Sequence, residues 1–114
     1  MAIIQIYSGT ATITGTETSL ISGTTTLQNN ANTGVYQVFI DTANMAAGDE
    51  YLIQIKEKVI SGGTQRVVYS ATVDGLQSTP FVTPSLILMH GWDVTMDLIA
   101  GTARSISWSI RQVA

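Results

Sequence analysis

The chain of 114 residues has no cysteine, one histidine and two prolines. Without cysteine there can be no disulfide, thiolate metal site or cysteine nucleophile, and the absence says nothing about compartment. Charge is scarce as well: 11% of the residues are charged, against about 25% in an average soluble domain. Five are Lys or Arg and the net charge is −3, which argues against nonspecific nucleic-acid binding. No apolar run approaches the ~18 residues of a membrane-spanning helix. No basic stretch followed by an apolar block opens the chain, so neither a membrane span nor a leader is expected. Aromatic residues amount to 7%.

Thr, Ser, Asn and Gln fill the place of charge. A surface of neutral hydroxyls and amides suits a chain that hydrogen-bonds to neighbours. It suits a freely diffusing enzyme less well, because such proteins rely on charge to stay apart. The length corresponds to one domain, able to bury roughly two thirds of its unfolded surface.

Period-two alternation is the dominant pattern. Trp92, Val94, Met96 and Leu98 alternate with Asp93, Thr95 and Asp97, and Ile106, Trp108 and Ile110 alternate with Ser105, Ser107, Ser109 and Arg111. A turn at Gly101-Thr102-Ala103 would make these a hairpin with Met96 opposite Trp108 and an ion pair between Asp93 and Arg111. A second hairpin is expected from Tyr51, Ile53 and Ile55 against Val73, Ala71 and Tyr69, with Gly63 left-handed in its turn and Lys58 opposite Arg66. Residues 35–40 read as a central strand, because both faces are apolar. Phe81-Val82-Thr83, bracketed by Pro80 and Pro84, reads as an edge, and residues 85–89 read as a buried strand. Residues 41–49 allow one helical turn, capped by Asp41 or Thr42 and ended at Gly48.

Residues 1–28 stand apart in composition. Thr10, Thr12, Thr14, Thr16 and Thr18 occupy alternate positions, and Glu17 is the only charged side chain before Asp41. Short strands at 3–7, 11–14, 19–21 and 25–28, broken at Gly9, Gly15 and Gly23, would make a hydroxyl ladder with a weak apolar face. Such a segment needs a surface to lie on, in this domain or in a neighbouring chain. The expected fold is all-β: a single-domain antiparallel β-sandwich or jelly-roll-like barrel of eight to ten short strands. Residues 1–28 form Thr-rich strands or an arm of the same domain, and residues 29–114 the sandwich core.

No constellation points to catalysis, a metal or a cofactor. His90, Asp93 and Asp97 are the only His and carboxylate cluster, but Asp93 and Asp97 lie about 13 Å apart on one strand face and His90 has the other parity. Asp49 and Glu50 are too few oxygens for calcium and read as a solvated turn. Ser105, Ser107 and Ser109 face outward with no base within reach. Tyr7, Tyr36 and Phe81 could line a carbohydrate platform, but most aromatic residues have core-facing parity.

Several strings carry a resemblance. Asn44-Met45-Ala46-Ala47-Gly48-Asp49, Ile55-Lys56-Glu57-Lys58-Val59, Pro84-Ser85-Leu86-Ile87-Leu88, Gly91-Trp92-Asp93-Val94-Thr95, Ala100-Gly101-Thr102 and residues 106–111 resemble small virion structural proteins of tailed bacteriophages, of the head-decoration (cement) type. The likeness covers about residues 34–113 and includes no catalytic motif. It implies a non-enzymatic protein on the capsid surface of the virion, with the major capsid protein as partner. It also implies a homo-oligomer, with a trimer on a local threefold axis favoured. Residues 1–28 lie outside the likeness; their near absence of charge and weak core potential lead to the expectation that they mediate oligomer or capsid contacts by adding a strand to a neighbour. A tail or neck component and a carbohydrate-binding β-sandwich module are the alternatives.

Overall fold

Alternating apolar residues become nine strands among residues 2–113, the part of the chain that the computed structural model describes. They are β1 (Ile3–Ile13), β2 (Thr18–Ser19), β3 (Gly34–Asp41), β4 (Glu50–Glu57), β5 (Arg66–Asp74), β6 (Phe81–Val82), β7 (Leu86–Leu88), β8 (Asp93–Ala100) and β9 (Arg104–Val113). One sheet has the order β1-β9-β3-β6, with β7 also on β3, and the other β2-β8-β4-β5. All pairings are antiparallel, and the two sheets pack as a single-domain β-sandwich.

β6 and β7 pair with successive stretches of β3, and act as one strand interrupted at Pro84. Proline has no N–H to give a ladder, and Thr83 fills the gap: its Oγ1 accepts from Val38 N at 3.0 Å and its own N–H donates to Val38 O at 3.0 Å. With β6 and β7 counted together, successive strands alternate between the sheets in jelly-roll order, except from β4 to β5. Among the described residues, β4 and β5 are then the only consecutive strands joined as a hairpin.

The inward set follows the period of two. Tyr36, Val38 and Ile40 of β3 and Ile106, Trp108 and Ile110 of β9 face Tyr51, Ile53 and Ile55 of β4 and Val94 and Met96 of β8, all at most 5% exposed. Ile13, Leu20, Met45, Leu88 and Trp92 complete the core. Each large aliphatic or aromatic side chain so buried contributes roughly 1.5–3 kcal/mol.

The β4–β5 hairpin has the expected pairs Tyr51↔Val73, Ile53↔Ala71 and Ile55↔Tyr69. Nearer the tip a bulge at Val68 changes the count, so Arg66 meets Glu57 rather than Lys58. The like-charge pair is thereby avoided. The connection is longer than three residues, and Gly62, at φ 82°, takes the left-handed position instead of Gly63.

The 92–113 hairpin does not form. β8 lies between β2 and β4 while β9 lies between β1 and β3, so the connection crosses from one sheet to the other. The apolar faces of the two strands meet across the sandwich instead of side by side, and Asp93 and Arg111 are not paired. Asp49 holds this corner. Its Oδ1 accepts from Thr102 N at 2.9 Å and its Oδ2 accepts from Arg104 Nε at 2.8 Å and Ala46 N at 2.9 Å. Gly101, at φ 92°, passes so close that a Cβ there would lie 2.6 Å from Asp49 Cα.

Other expectations change for stated reasons. The helical turn at 41–49 is replaced by two tight turns, Met45 N to Thr42 O at 3.0 Å and Asp49 N to Ala46 O at 3.1 Å. They let Met45 plug the core, and Asp41 caps only Ala43 N. The strands expected at 3–7 and 11–14 are one strand. Gly9 does not break it but makes room for the Trp108 indole, 2.7 Å from where a Cβ would sit. At 19–21 only Thr18–Ser19 is strand, and 25–28 is irregular. In the 85–89 run Leu88 is buried, but Ile87 is 75% exposed, because β7 has only one face on the core.

Candidate interaction surface

The residues considered for chemistry have structural partners. Asp93, 1% exposed, accepts from Ser19 Oγ at 2.6 Å, Val94 N at 2.9 Å and Gln28 N at 2.9 Å. Burial pushes its carboxyl up, against these hydrogen bonds and the Lys56 charge. It ties β2 and the loop before β3 onto β8. Asp97 shares its strand face and is raised by burial and by the Glu17 charge, against Lys56. Glu17 would be raised by burial, but hydrogen bonds from Lys56 Nζ and Thr95 Oγ1, each 2.6 Å, and the Lys56 charge hold it below its usual value. His90 belongs to another group: its N–H donates to Glu57 Oε1, as does that of Met89, and its O accepts from Lys58 N. His90, Asp93 and Asp97 are therefore not a joint site, and among the described residues no three metal-ligating side chains cluster.

Asp49 is 2% exposed rather than solvated. The Arg104 guanidinium, followed by the amides of Thr102 and Ala46, lowers its carboxyl to about 2. Its neighbour Glu50 is opposite Asp74 in the β4–β5 ladder. Tyr7 and Tyr36 line no carbohydrate platform. Both pack on Trp92, with centroids 6.2 and 4.5 Å away, while their hydroxyls bind Asn30, Asn32 and Gln112. Phe81 leans on the core beside β3.

The outer face of the five-stranded sheet is more informative. Ladder register places Ile3 opposite Val113, Val113 opposite Val35, and Val35 opposite Ile87. Four aliphatic side chains thus form one row across four strands, with Ile3 71% and Ile87 75% exposed. A second row is Gln5, Arg111 and Gln37, and the Arg111 guanidinium sits 3.8 Å over the Phe39 ring. Beyond it Ser8, Thr10 and Thr12 of β1 pair with Ser109, Ser107 and Ser105 of β9. Thr10 and Ser107 share a hydrogen bond at 2.8 Å, and Ser109 Oγ donates to Gln5 Oε1 at 2.6 Å. This is the outward serine set, joined to the threonine ladder. A shallow pocket lies beside the apolar row between Val35, Phe39, Arg111 and Val113.

The face ends at β1, which is an edge of its sheet. It is eleven residues long and has neither charge nor proline. Natural edges are usually guarded by such residues, by bulges or by shortness. Its one guard is the irregularity between Gln5 and Tyr7, so residues 8–12 run straight and uncharged along solvent.

Comparison with known proteins matched no family, no curated protein and no solved structure.

Proposed function

We propose that the protein is a non-enzymatic structural component of a tailed-phage virion, a decoration protein that binds the major capsid protein on the head surface and stabilises it. The observation that carries the reading is the charge-poor outer face of the five-stranded sheet, an apolar row and a hydroxyl ladder ending at the open edge β1. Apolar side chains in a row can be covered by a partner, hydroxyls can hydrogen-bond along it, and an open edge can accept or supply a strand. Small contacts of this kind gain from repetition over a lattice. The sequence resemblance supports the virion setting. The fold is compatible with it, although jelly rolls also occur in lectins and other proteins.

The alternatives differ in what they require. A carbohydrate-binding module needs exposed aromatic rings, and Tyr7, Tyr36 and Trp92 are spent on one another inside. A tail or neck component would use the same face on fewer subunits. Quantitative mass spectrometry of purified particles is the direct test. Copies in proportion to the capsid lattice are expected, and a number matching a single tail or neck ring would overturn head decoration. Absence from particles would overturn the virion reading altogether.

A further inference from the structure

The free edge of the four-stranded sheet is β5, and its charge pattern is unusual. The nine residues begin with Arg66 and end with Asp74, and none between them is charged. Neither end charge is used internally. The ion pairs among the described residues are Lys56–Glu17 and Arg104–Asp49, and neither the Arg66 guanidinium nor the Asp74 carboxylate has a hydrogen-bond partner there. Each end is reinforced by a neighbour of like sign: Lys58 follows Glu57, the residue opposite Arg66, and Glu50 is opposite Asp74. Glu57 offsets the basic end only in part, since its Oε1 accepts from the amides of Met89 and His90.

A strand that is basic at its start and acidic at its end is complementary to itself when paired antiparallel, and repels itself when paired parallel. Its edge is also sticky. Val67 and Val68 are 47% and 45% exposed, and the strand has no proline or lysine. The bulge at Val68 guards only the first part and leaves residues 69–74 regular. We propose that two copies of this chain associate through β5, antiparallel and about a twofold axis near Ser70 and Ala71. This joins their four-stranded sheets into one and sets the basic end of each β5, Arg66 with Lys58 one strand further in, against the acidic end of the other, Asp74 with Glu50. The bulge at Val68 puts the Arg66 and Asp74 side chains on opposite faces, so the two ends attract across the sheet rather than as a direct ion pair. The contact is isologous and closed, so it ends at two copies. It concerns this chain alone and does not depend on what the outer face of the five-stranded sheet binds. It differs from a threefold assembly, which needs two unlike surfaces per copy.

Sedimentation of the full chain, as a concentration series, tests it. The expected result is a species of twice the 12.2 kDa chain mass whose dissociation constant rises with salt. Arg66→Asp and Asp74→Arg should each weaken it by roughly threefold or more, since each reversal acts twice in a symmetric contact. An equimolar mixture of the two variants, and the double variant Arg66→Asp/Asp74→Arg, should both recover association. Val68→Lys should weaken it without altering the thermal midpoint measured at a concentration where the chain is monomeric, because the side chain is at the surface. A chain that stays monomeric at about 100 μM, far above the range of stable dimers, overturns the proposal. So does a trimer, or a dimer indifferent to both charge reversals.

Discussion

Three positions show how single residues hold this sandwich. Asp49 is surrounded by donors that want a charged carboxylate, and it titrates at about 2 when folded against 3.8 ordinarily. Between those values the unfolded chain binds more protons than the folded one, so the contribution is present above about pH 4 and is lost as pH falls through 2. Asp93 and Asp97 are raised and act in the opposite sense. Their contribution is full below their ordinary value and declines as pH rises through the folded one. Thermal melts between pH 2 and 5 should therefore show Asp49→Asn with a much shallower loss of midpoint on acidification than the parent chain. Asp93 accepts from three donors at once, and an amide in its place would turn a donor on a donor. Asp93→Asn is expected to lose about 1–3 kcal/mol in urea unfolding. At Gly9 the constraint is space. Gly9→Ala pushes a methyl into the Trp108 indole, whose Nε1 is already committed to Leu20 O at 2.7 Å, and should cost about 1–3 kcal/mol by the same measurement.

Strands show which pairings depend on local chain and which on distant chain. β4 and β5 are joined directly, so alternation and turn length together set the register, and the Tyr51↔Val73 to Ile55↔Tyr69 pairs can be read from the residues alone. β8 and β9 carry an equally clear alternation. Two strands with apolar alternate faces bury them equally well side by side or face to face, and the short link through Gly101 allows either. What decides is that β1 and β3 take both edges of β9, while β2 and β4 take both edges of β8. β1 carries a prediction of its own. Ser8→Lys with Thr12→Lys adds charge to exposed positions of an open edge, so stability should stay within about 0.5 kcal/mol. Binding to particles that lack the protein should be abolished. Binding that survives with unchanged affinity would remove this edge from the proposed capsid contact.

The jelly-roll connectivity has consequences for the whole molecule. Apart from β4–β5, strand neighbours come from distant parts of the chain, β1 with β9 and β3 with β9 among them. Loop closure must precede their stabilising contacts, so refolding followed by stopped-flow fluorescence of Trp92 and Trp108 should take milliseconds to seconds rather than microseconds. The Thr-rich start is not a separable arm. It supplies an edge strand, the buried Ile13 and Leu20, and Ser19, which binds Asp93. A chain beginning at Asn29 is expected to lack cooperative unfolding by calorimetry, which is why the proposed capsid contact is better probed by substitutions in β1 than by removing it.

By itself the sequence determined the class of fold, the inward sets of β4, β8 and β9 and the outward serines and threonines of β1 and β9, because side chains alternate at a period of two wherever a strand sits. It also determined the one local register, through the hairpin that joins β4 to β5. The tertiary structure alone decided which strands are neighbours, and hence that Asp93 binds Ser19 and Gln28 and that Asp49 is buried at a corner. It likewise assembled the row of Ile3, Val113, Val35 and Ile87, whose members are far apart in the chain and share no local pattern. The physical reason is that alternation specifies a face, whereas a neighbour is chosen only when two whole sheets close on one another.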